Sequence, residues 1–370
     1  MWKQYQPTEI FFGEGQLESL ENILQQRRIE NVLIIADPFI VQAGIAQKIA
    51  ALSPKRITGI FSEIEPNPTL QNIDQCVEMI RSTRSTFLLA VGGGSAMDCA
   101  KCAAAAFAMG CCARDLMDGK EITDALPLAA IPTTAGTSSE VTAGAVLSDR
   151  EAHRKDAIFS PLLFAKFAIV DPQLTYSCPR SVTASSGIDV LMHALDALSS
   201  KKATPLTDTL AIQAVRLVFA HLEHALQDGN NSEARKGMST ACVLAGMAFS
   251  QTGTTGTHAT SYCLTEQYGI PHGEACAFTA EAWLSVNGKA RADFSDIVHT
   301  MGFDSLEGLL EGIRELKKSC RFRTTFQEAG IPADALGSIA ESTVSAGNYG
   351  NNLVQLTVEE VKELLSQYAI

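Results

Sequence analysis

The sequence lacks the features that would place the protein at a membrane or on nucleic acid. Its most apolar stretch, residues 100–113, contains Lys101 and ends at Arg114, so it is too short to cross a bilayer. Basic residues are outnumbered by acidic ones, 29 against 41, and nucleic acid and anionic membranes both require a basic face. The opening MWKQYQPTEI has no basic leader before an apolar run, so we expect no signal peptide.

Little in the sequence indicates disulfides or a structural zinc site. Ten cysteines without an export signal are typical of reduced thiols in the cytoplasm, which is the location we expect. Cys99 and Cys102 form a single CxxC, and no second pair accompanies it. We therefore interpret these two cysteines as small apolar residues of packed helices.

The first part of the chain has the pattern of an α/β domain. The 370 residues are 46% hydrophobic and 19% charged, which describes a folded protein longer than one core usually serves. Buried-strand patterns alternate with amphipathic helices, which predicts a parallel sheet with helices on both faces. The strand patterns are residues 31–36, 56–61, 86–91, 126–131 and 167–170, and the helix patterns are residues 17–28, 41–52 and 70–84.

After Pro179 the pattern becomes helical almost throughout. Residues 206–226 mark one long helix, and Thr357 and Glu360 form a capping box before the last helix. We predict an α/β Rossmann-like dinucleotide-binding domain over residues 1–178. An all-helical metal-binding and substrate domain is predicted over residues 179–370, with the active site in the cleft between the two domains.

A glycine segment joins a predicted strand to a predicted helix. Gly92, Gly93, Gly94 and Ser95 would let backbone N–H groups approach a phosphate at the positive end of the helix. Ser95 has the spacing of a helix N-cap with Asp98, which we include among the candidate cofactor-binding residues. The segment is not the GxGxxG fingerprint, so a plain tight turn remains open.

Two further stretches could contact a nucleotide. Asp37 ends an earlier strand, where a carboxylate can accept from the ribose 2′-OH of NAD; the alternative is an Asp-Pro turn, which is common. Residues 131–142, IPTTAGTSSEVT, place six hydroxyl side chains and a glycine after a strand. This loop could offer donors to a cofactor, or it could be a solvated loop, although its apolar flanks argue against full exposure.

Four residues of the second part are candidate metal ligands. Asp189 and His193 lie four apart in SSGIDVLMHALDAL, so a helix places them on one face. Such a pair is more often a surface interaction, but the residues between them are apolar and indicate a buried helix. Together with His258 and His272 they offer one carboxylate and three imidazoles, which suit a divalent transition metal. We assign no function to His153 in a polar turn or to His299 near a helix end.

Five motifs in order resemble the iron-containing alcohol dehydrogenases. They are GGGSAMDCAK, PTTAGTSSEVT, AIVDPQLT, GIDVLMHALDA and IPHGEACA, and the resemblance spans nearly the whole chain. It implies a Rossmann-like domain followed by a helical domain, the fold shared with dehydroquinate synthase. It also implies a metal-dependent, NAD(P)-linked alcohol dehydrogenase or aldehyde reductase that acts on a small primary alcohol or aldehyde. A homodimer is expected.

The resemblance also assigns site residues. It implies that Asp189, His193, His258 and His272 hold Fe²⁺, with Zn²⁺ as an alternative. It places the pyrophosphate on residues 92–95 and the choice of NAD(H) over NADP(H) on Asp37. The other implied cofactor contacts are Thr133, Thr134, Ser138, Thr142 and Lys155.

One position departs from the family. Four residues after His258, many members have a second histidine near the nicotinamide, whereas this chain has Tyr262. We place the catalytic roles on Tyr262 and His258, with either Tyr262 or water carrying the proton. The segment TTGTHATSYCLTEQYGIPHGEACAFT further resembles the phosphonoacetaldehyde reductases, which make 2-hydroxyethylphosphonate.

Two other functions remain to be weighed. A dehydroquinate synthase-like lyase would normally have a glutamate ligand and a pocket rich in Lys and Arg, and Asp189 in its apolar segment argues against it. A non-catalytic relative that binds only a metal or only a nucleotide would not need both the complete set of metal ligands and the complete set of cofactor contacts.

Overall fold

The computed structural model describes residues 1–152 and 154–369, which form two compact units. One unit is Gln6–Ser177, and the other combines Met1–Tyr5 with Cys178–Ile370. The predicted turn at His153 lies outside the described residues. No described helix has the length and apolar character that crossing a lipid bilayer would demand.

The first unit contains a six-stranded parallel sheet in the order β1-β8-β5-β4-β2-β3 and a separate antiparallel pair, β6-β7. The strands are β1 (Glu9–Phe12), β2 (Val32–Ala36), β3 (Ile57–Phe61), β4 (Phe87–Gly92), β5 (Leu128–Pro132), β6 (Gly144–Asp149), β7 (Arg154–Phe159) and β8 (Phe167–Val170). The helices of this unit are α1 (Leu20–Gln26), α2 (Pro38–Gln42), α3 (Ile45–Leu52), α4 (Leu70–Thr83), α5 (Gly94–Met109) and α6 (Ala113–Met117).

The core of this unit lies on both faces of the six-stranded sheet. Strands β2 and β4 are buried along their whole length, as the continuous apolar runs predict. Alternate side chains of each strand enter different clusters, with Leu33 and Leu88 on one face and Ile34 and Leu89 on the other. The α/β part of the predicted fold class is therefore confirmed.

The second unit is helical, with no strand among its described residues beyond the isolated bridge between Ser200 and Asn352. Its helices are α7 (Arg180–Leu198), α8 (Pro205–Gln227), α9 (Ser232–Thr252), α10 (Gly256–Tyr268), α11 (His272–Phe278), α12 (Ala280–Ala290), α13 (Phe294–Met301), α14 (Leu306–Cys320), α15 (Leu336–Ser345) and α16 (Val358–Leu365). The predicted long helix is α8, and the predicted capping box of Thr357 and Glu360 opens α16.

Candidate active site

Three helices of the second unit bring the four candidate metal ligands together. Asp189 and His193 lie on α7, His258 lies in the first turn of α10, and His272 begins α11. Asp189 Oδ1 is 3.4 Å from His258 Nε2 and 4.0 Å from His272 Nε2, and Asp189 Oδ2 is 3.8 Å from His193 Nδ1. Only His272 is substantially exposed, with 34% of its side chain accessible.

The polar atoms of this cluster are arranged to bind a metal ion rather than to form hydrogen bonds with one another. Asp189 Oδ1, His193 Nδ1 and His258 Nε2 are buried and have no hydrogen-bond partner, a costly arrangement in a protein interior. Two donor atoms at about 2.0–2.2 Å from one metal stand roughly 3.3–3.6 Å apart at tetrahedral angles. The separation of 3.4 Å between Asp189 and His258 lies within that range.

Charge interactions give two of these groups the protonation states that a metal requires. Burial raises the pKa of the Asp189 carboxyl, but His193, His272 and His258 outweigh burial and hold it below its usual range. Burial, reinforced by His258 and His272 and opposed by Asp189, lowers the pKa of His193 to about 4. Near neutral pH, Asp189 is therefore a carboxylate and His193 a neutral imidazole, the forms in which both bind metals.

Asp196 orients His258 through the ring nitrogen Nδ1. It lies seven residues after Asp189 on α7 and accepts a hydrogen bond from His258 Nδ1 at 2.8 Å. The backbone N–H of Thr255 and the hydroxyl of Thr257 also donate to Asp196, at 2.7 and 2.8 Å. The carboxylate fixes the imidazole with its proton on Nδ1 and leaves Nε2 free to bind a metal. The sequence analysis did not identify this residue, although the i, i+4, i+7 spacing of the two aspartates and His193 was visible.

Two glycines let the ligand-bearing helices approach their neighbours. A Cβ on Gly273 would lie 1.8 Å from the backbone oxygen of Ser185, so α11 can pack this tightly on α7 only with glycine. The Gly273 N–H donates to the Ser185 hydroxyl at 3.2 Å, which fixes the residue next to His272. At the start of α10, a Cβ on Gly256 would lie 2.4 Å from the indole ring of Trp283.

Cys276 is a fifth member of the cluster that the sequence analysis did not identify. Its Sγ lies 3.8 Å from both ring nitrogens of His272. Asp189, His258, His272 and Cys276 form a group whose ligand atoms all lie within 4.8 Å of one another, and His193 is not part of that group. Burial raises the pKa of the thiol, yet the imidazoles of His258 and His272 lower it to about 7.

Tyr262 follows His258 by one turn on α10, as predicted. Its phenol hydrogen-bonds to Thr254, whose hydroxyl also accepts from Asn348 Nδ2 at 3.0 Å. Burial raises the pKa of Tyr262, and the nearby His258 only partly offsets this. The hydroxyl therefore stays protonated near neutral pH and can donate a hydrogen bond.

In the first unit, Asp37 and the glycine segment meet at the point where the strand order reverses. After β2 the chain moves outward to β3, whereas after β4 it moves to β5 on the other side. In open α/β sheets, ligands bind at such a switch point beyond the carboxyl ends of the strands. Asp37 follows β2 and caps α2 through Ile40 N at 3.2 Å, and its Oδ2 lies 2.7 Å from where a Cβ on Gly92 would stand.

The glycine segment begins α5 differently from the expectation. The predicted N-cap at Ser95 is wrong, because α5 begins at Gly94, and Gly93 is its N-cap. Without a side chain at Gly93, the backbone lies close to Thr134, whose Oγ1 would be 3.3 Å from a Cβ there. Ser95 instead accepts from the backbone of Asn67 at 3.2 Å.

Asn67 also links the glycine segment to Lys155, which donates from Nζ to its Oδ1 at 3.1 Å. The structure thus brings the predicted Ser95 and Lys155 to one unpredicted residue. Asp98 accepts hydrogen bonds from the Ser139 hydroxyl at 2.9 Å and from Val146 N at 3.1 Å.

Lys101 holds the hydroxyl-rich loop from beneath. Lys101 is 1% exposed, and its ammonium group donates to the backbone oxygens of Ser139, Thr142 and Gly144 at 2.7, 2.9 and 2.8 Å. The predicted residues Thr133, Ser138 and Thr142 are buried in this loop, so the fully solvated alternative is wrong. Within a helix of alanines and cysteines, Lys101 gave no sign of this role.

Comparison with known proteins places both units in one family. Residues 7–172 match the family described as iron-containing alcohol dehydrogenase, and residues 183–369 match the C-terminal part of the Fe-containing alcohol dehydrogenase family. Alcohol dehydrogenase 4 of Schizosaccharomyces pombe is 32% identical over 97% of this chain and 87% of its own length. A 1-propanol dehydrogenase of Citrobacter freundii is 35% identical over 85% of this chain and 84% of its own.

A solved structure agrees over the whole chain. The crystal structure of sulfoacetaldehyde reductase from Bifidobacterium kashiwanohense in complex with NAD⁺ superposes with a TM-score of 0.96 at 35% sequence identity. The match covers 100% of this chain and 99% of that one.

Proposed function

Because the chain belongs to the iron-containing alcohol dehydrogenase family, we propose that its metal is held by Asp189, His193, His258 and His272 and that its substrate is a small anionic aldehyde. The predicted membership of this family is confirmed, and with it the enzyme class. The protein is a metal-dependent, NAD(P)-linked alcohol dehydrogenase or aldehyde reductase. The observation that carries the metal site is the set of buried, unpartnered donor atoms on Asp189, His193 and His258.

Each side chain of the site has a definite task. When bound, the metal supplies Lewis-acid polarisation of the carbonyl oxygen and the nicotinamide supplies the hydride. Asp189 and the imidazoles provide the donors, and Asp196 orients His258 by accepting from Nδ1 at 2.8 Å, so that Nε2 is the ring nitrogen directed to a metal. Tyr262, protonated near neutral pH, donates a hydrogen bond toward the alkoxide oxygen or to a water that returns the proton.

The substrate proposal is phosphonoacetaldehyde, reduced to 2-hydroxyethylphosphonate. The solved relative with a TM-score of 0.96 is a sulfoacetaldehyde reductase, and its substrate is a two-carbon aldehyde with an anionic tail. Phosphonoacetaldehyde has the same carbon chain and a phosphonate in place of the sulfonate. The resemblance of residues 254–279 to the phosphonoacetaldehyde reductases supports the same choice.

The cofactor proposal is NAD(H) in preference to NADP(H). Asp37 lies at the strand switch point beside Gly92, where its charge would repel a 2′-phosphate. Fe²⁺ is the proposed resident metal, and Zn²⁺ would compete for the same imidazoles. A homodimer is proposed from the resemblance alone, whereas the cytoplasm is supported by ten free thiols among the described residues.

NADH oxidation against a panel of aldehydes tests the proposal. The protein is stripped of metal, reloaded with Fe²⁺ or Zn²⁺, and assayed with phosphonoacetaldehyde, sulfoacetaldehyde and propanal. We expect kcat/KM to be highest for phosphonoacetaldehyde, about tenfold or more above propanal, the scale of one charge-assisted hydrogen bond. A preference for propanal would reject the anionic substrate and leave the rest of the proposal intact.

The same assay decides between enzyme classes. Absence of NADH oxidation with every aldehyde and both metals would contradict the dehydrogenase and favour a lyase-like or non-catalytic relative. A dehydroquinate synthase-like lyase would leave no net NADH oxidised, so the absorbance of the cofactor separates it from a reductase.

A further inference from the structure

Cys276 lies among the proposed metal ligands. It follows His272 by one turn on α11, and its side chain is fully buried. Its Sγ lies 3.8 Å from His272 Nε2, and Asp189, His258, His272 and Cys276 each offer a donor atom within 4.8 Å of all the others. We propose that the Cys276 sulfur is a further ligand of the same ion, an inference that rests on the proposed metal centre.

The distances suit a shared metal. A thiolate at about 2.3 Å and an imidazole nitrogen at about 2.0–2.1 Å from one ion stand roughly 3.5–3.7 Å apart at tetrahedral angles. The measured 3.8 Å lies close to this separation, so only a small side-chain adjustment is needed. The unpartnered Asp189 Oδ1 and His258 Nε2 belong to the same group of atoms, which gives the ion two further buried donors.

The surroundings of the thiol distinguish it from the other buried cysteines. Cys276 contacts the imidazoles of His272 and His258. Cys263, on the neighbouring helix α10, is also buried, but its thiol contacts Ser342 and is not part of the cluster. Cys263 therefore provides a matched control of the same residue type, in the same unit.

A sulfur ligand changes which metal the site prefers. Asp189 and the imidazoles accept several divalent ions, whereas thiolate favours Zn²⁺ and Co²⁺ over Mn²⁺ and Mg²⁺. Binding as thiolate releases the thiol proton to solvent, so metal uptake would release one more proton than carboxylate and imidazoles alone. Together with Asp189 and the three imidazoles, the sulfur brings the number of candidate donors to five.

Cobalt spectroscopy on the 370-residue chain tests the sulfur ligand. Metal-free protein is loaded with one equivalent of Co²⁺, and bound metal is measured in each sample. We expect a near-ultraviolet sulfur-to-cobalt charge-transfer band in the unmodified protein and in Cys263→Ser, and its loss in Cys276→Ser. A Co²⁺-loaded protein without the band, or a band that survives in Cys276→Ser, overturns the proposal.

A second measurement needs no variant. X-ray absorption of the zinc-loaded, unmodified protein should show a sulfur scatterer at about 2.3 Å beside the nitrogen and oxygen shell. A shell of nitrogen and oxygen alone would overturn the sulfur ligand while leaving the metal centre intact. Failure to retain any metal would instead contradict the proposed function, so the two failures are distinguishable.

Discussion

At the scale of single residues, Tyr262 is the sharpest test of the proton route. Replacing Tyr262 with Phe keeps the ring and removes only the hydroxyl, which hydrogen-bonds to Thr254. If the hydroxyl donates in the reaction, steady-state turnover should fall on the order of a hundredfold, most strongly near neutral pH, with cofactor affinity unchanged. Tyr268→Phe, at the end of the same helix, should have no effect. An unchanged rate and pH profile in Tyr262→Phe would show that Tyr262 only shapes the pocket.

Asp37 tests the cofactor preference. Because Asp37 caps α2 through Ile40 N, replacement with Ser removes the charge and retains a capping residue, whereas Gly would remove the side-chain cap. The ratio of kcat/KM for NADH over NADPH should be at least about tenfold in the unmodified protein and should fall by a similar factor in Asp37→Ser. Asp124→Ser, on an exposed segment, is the control. Equal efficiency with both cofactors before any substitution would refute the role given to Asp37.

Residue types and spacing identified the candidate ligands but not the groups around them. Asp189 and His193 were visible because few reasons exist to place a carboxylate and an imidazole one turn apart in an apolar helix. Asp196 and Cys276 have equally regular spacing, at i+7 from Asp189 and i+4 from His272. From sequence alone, a cysteine in an apolar helix is interpreted as a small core residue, and a single carboxylate is interpreted as a surface residue. Only the packing of α7, α10 and α11 separates these alternatives.

At the scale of elements, continuous apolar runs predicted strands well. Helical periodicity located the helices but not the points where they are interrupted. The helix expected over residues 41–52 is two helices, α2 and α3, because Gly44 adopts a left-handed conformation with φ of 75°. The β6–β7 hairpin was not predicted. Its second strand, RKDAIF, begins with three charged residues and has no fully buried position, so it lacks the regular apolar alternation that predicts a strand.

The contact between α11 and α7 makes Gly273 a test at this scale. A methyl group there would meet the Ser185 backbone oxygen, so Gly273→Ala should push α11 away and displace His272. We expect metal affinity, measured by chelator competition, to fall at least about tenfold, the size of a lost supporting interaction. Gly337→Ala is the matched control, because nothing lies within 4 Å of a Cβ there. Unchanged metal affinity in Gly273→Ala would show that α11 tolerates the shift.

At the scale of the whole molecule, the metal and nucleotide residues belong to different compact units. The candidate ligands lie in Cys178–Ile370 and the candidate nucleotide contacts in Gln6–Ser177. The order of patterns along the chain was enough to predict the two kinds of architecture. The exact domain limits, the site in a cleft between the domains and the homodimer stay predictions, because short-range patterns carry no information about how separate units associate.

This separation predicts that one substitution abolishes catalysis without affecting nucleotide binding. His272→Ala removes a metal donor and should abolish turnover, while the dissociation constant for NAD⁺ changes less than about threefold. In thermal unfolding, the rise in melting temperature caused by added metal should shrink in this variant. The rise caused by NAD⁺ should persist, because a ligand stabilises the native state only as far as it binds to it. His299→Ala, on an exposed helix end, is the control. Loss of NAD⁺ binding in His272→Ala would contradict this division.

The most direct test of the central claim is anomalous X-ray scattering from crystals loaded with Fe²⁺. The account predicts a single strong peak at the iron absorption edge, with Asp189, His193, His258 and His272 as its ligands and bond lengths of about 2.0–2.2 Å. A peak elsewhere in the molecule, or loaded crystals with no peak at these four side chains, would contradict it.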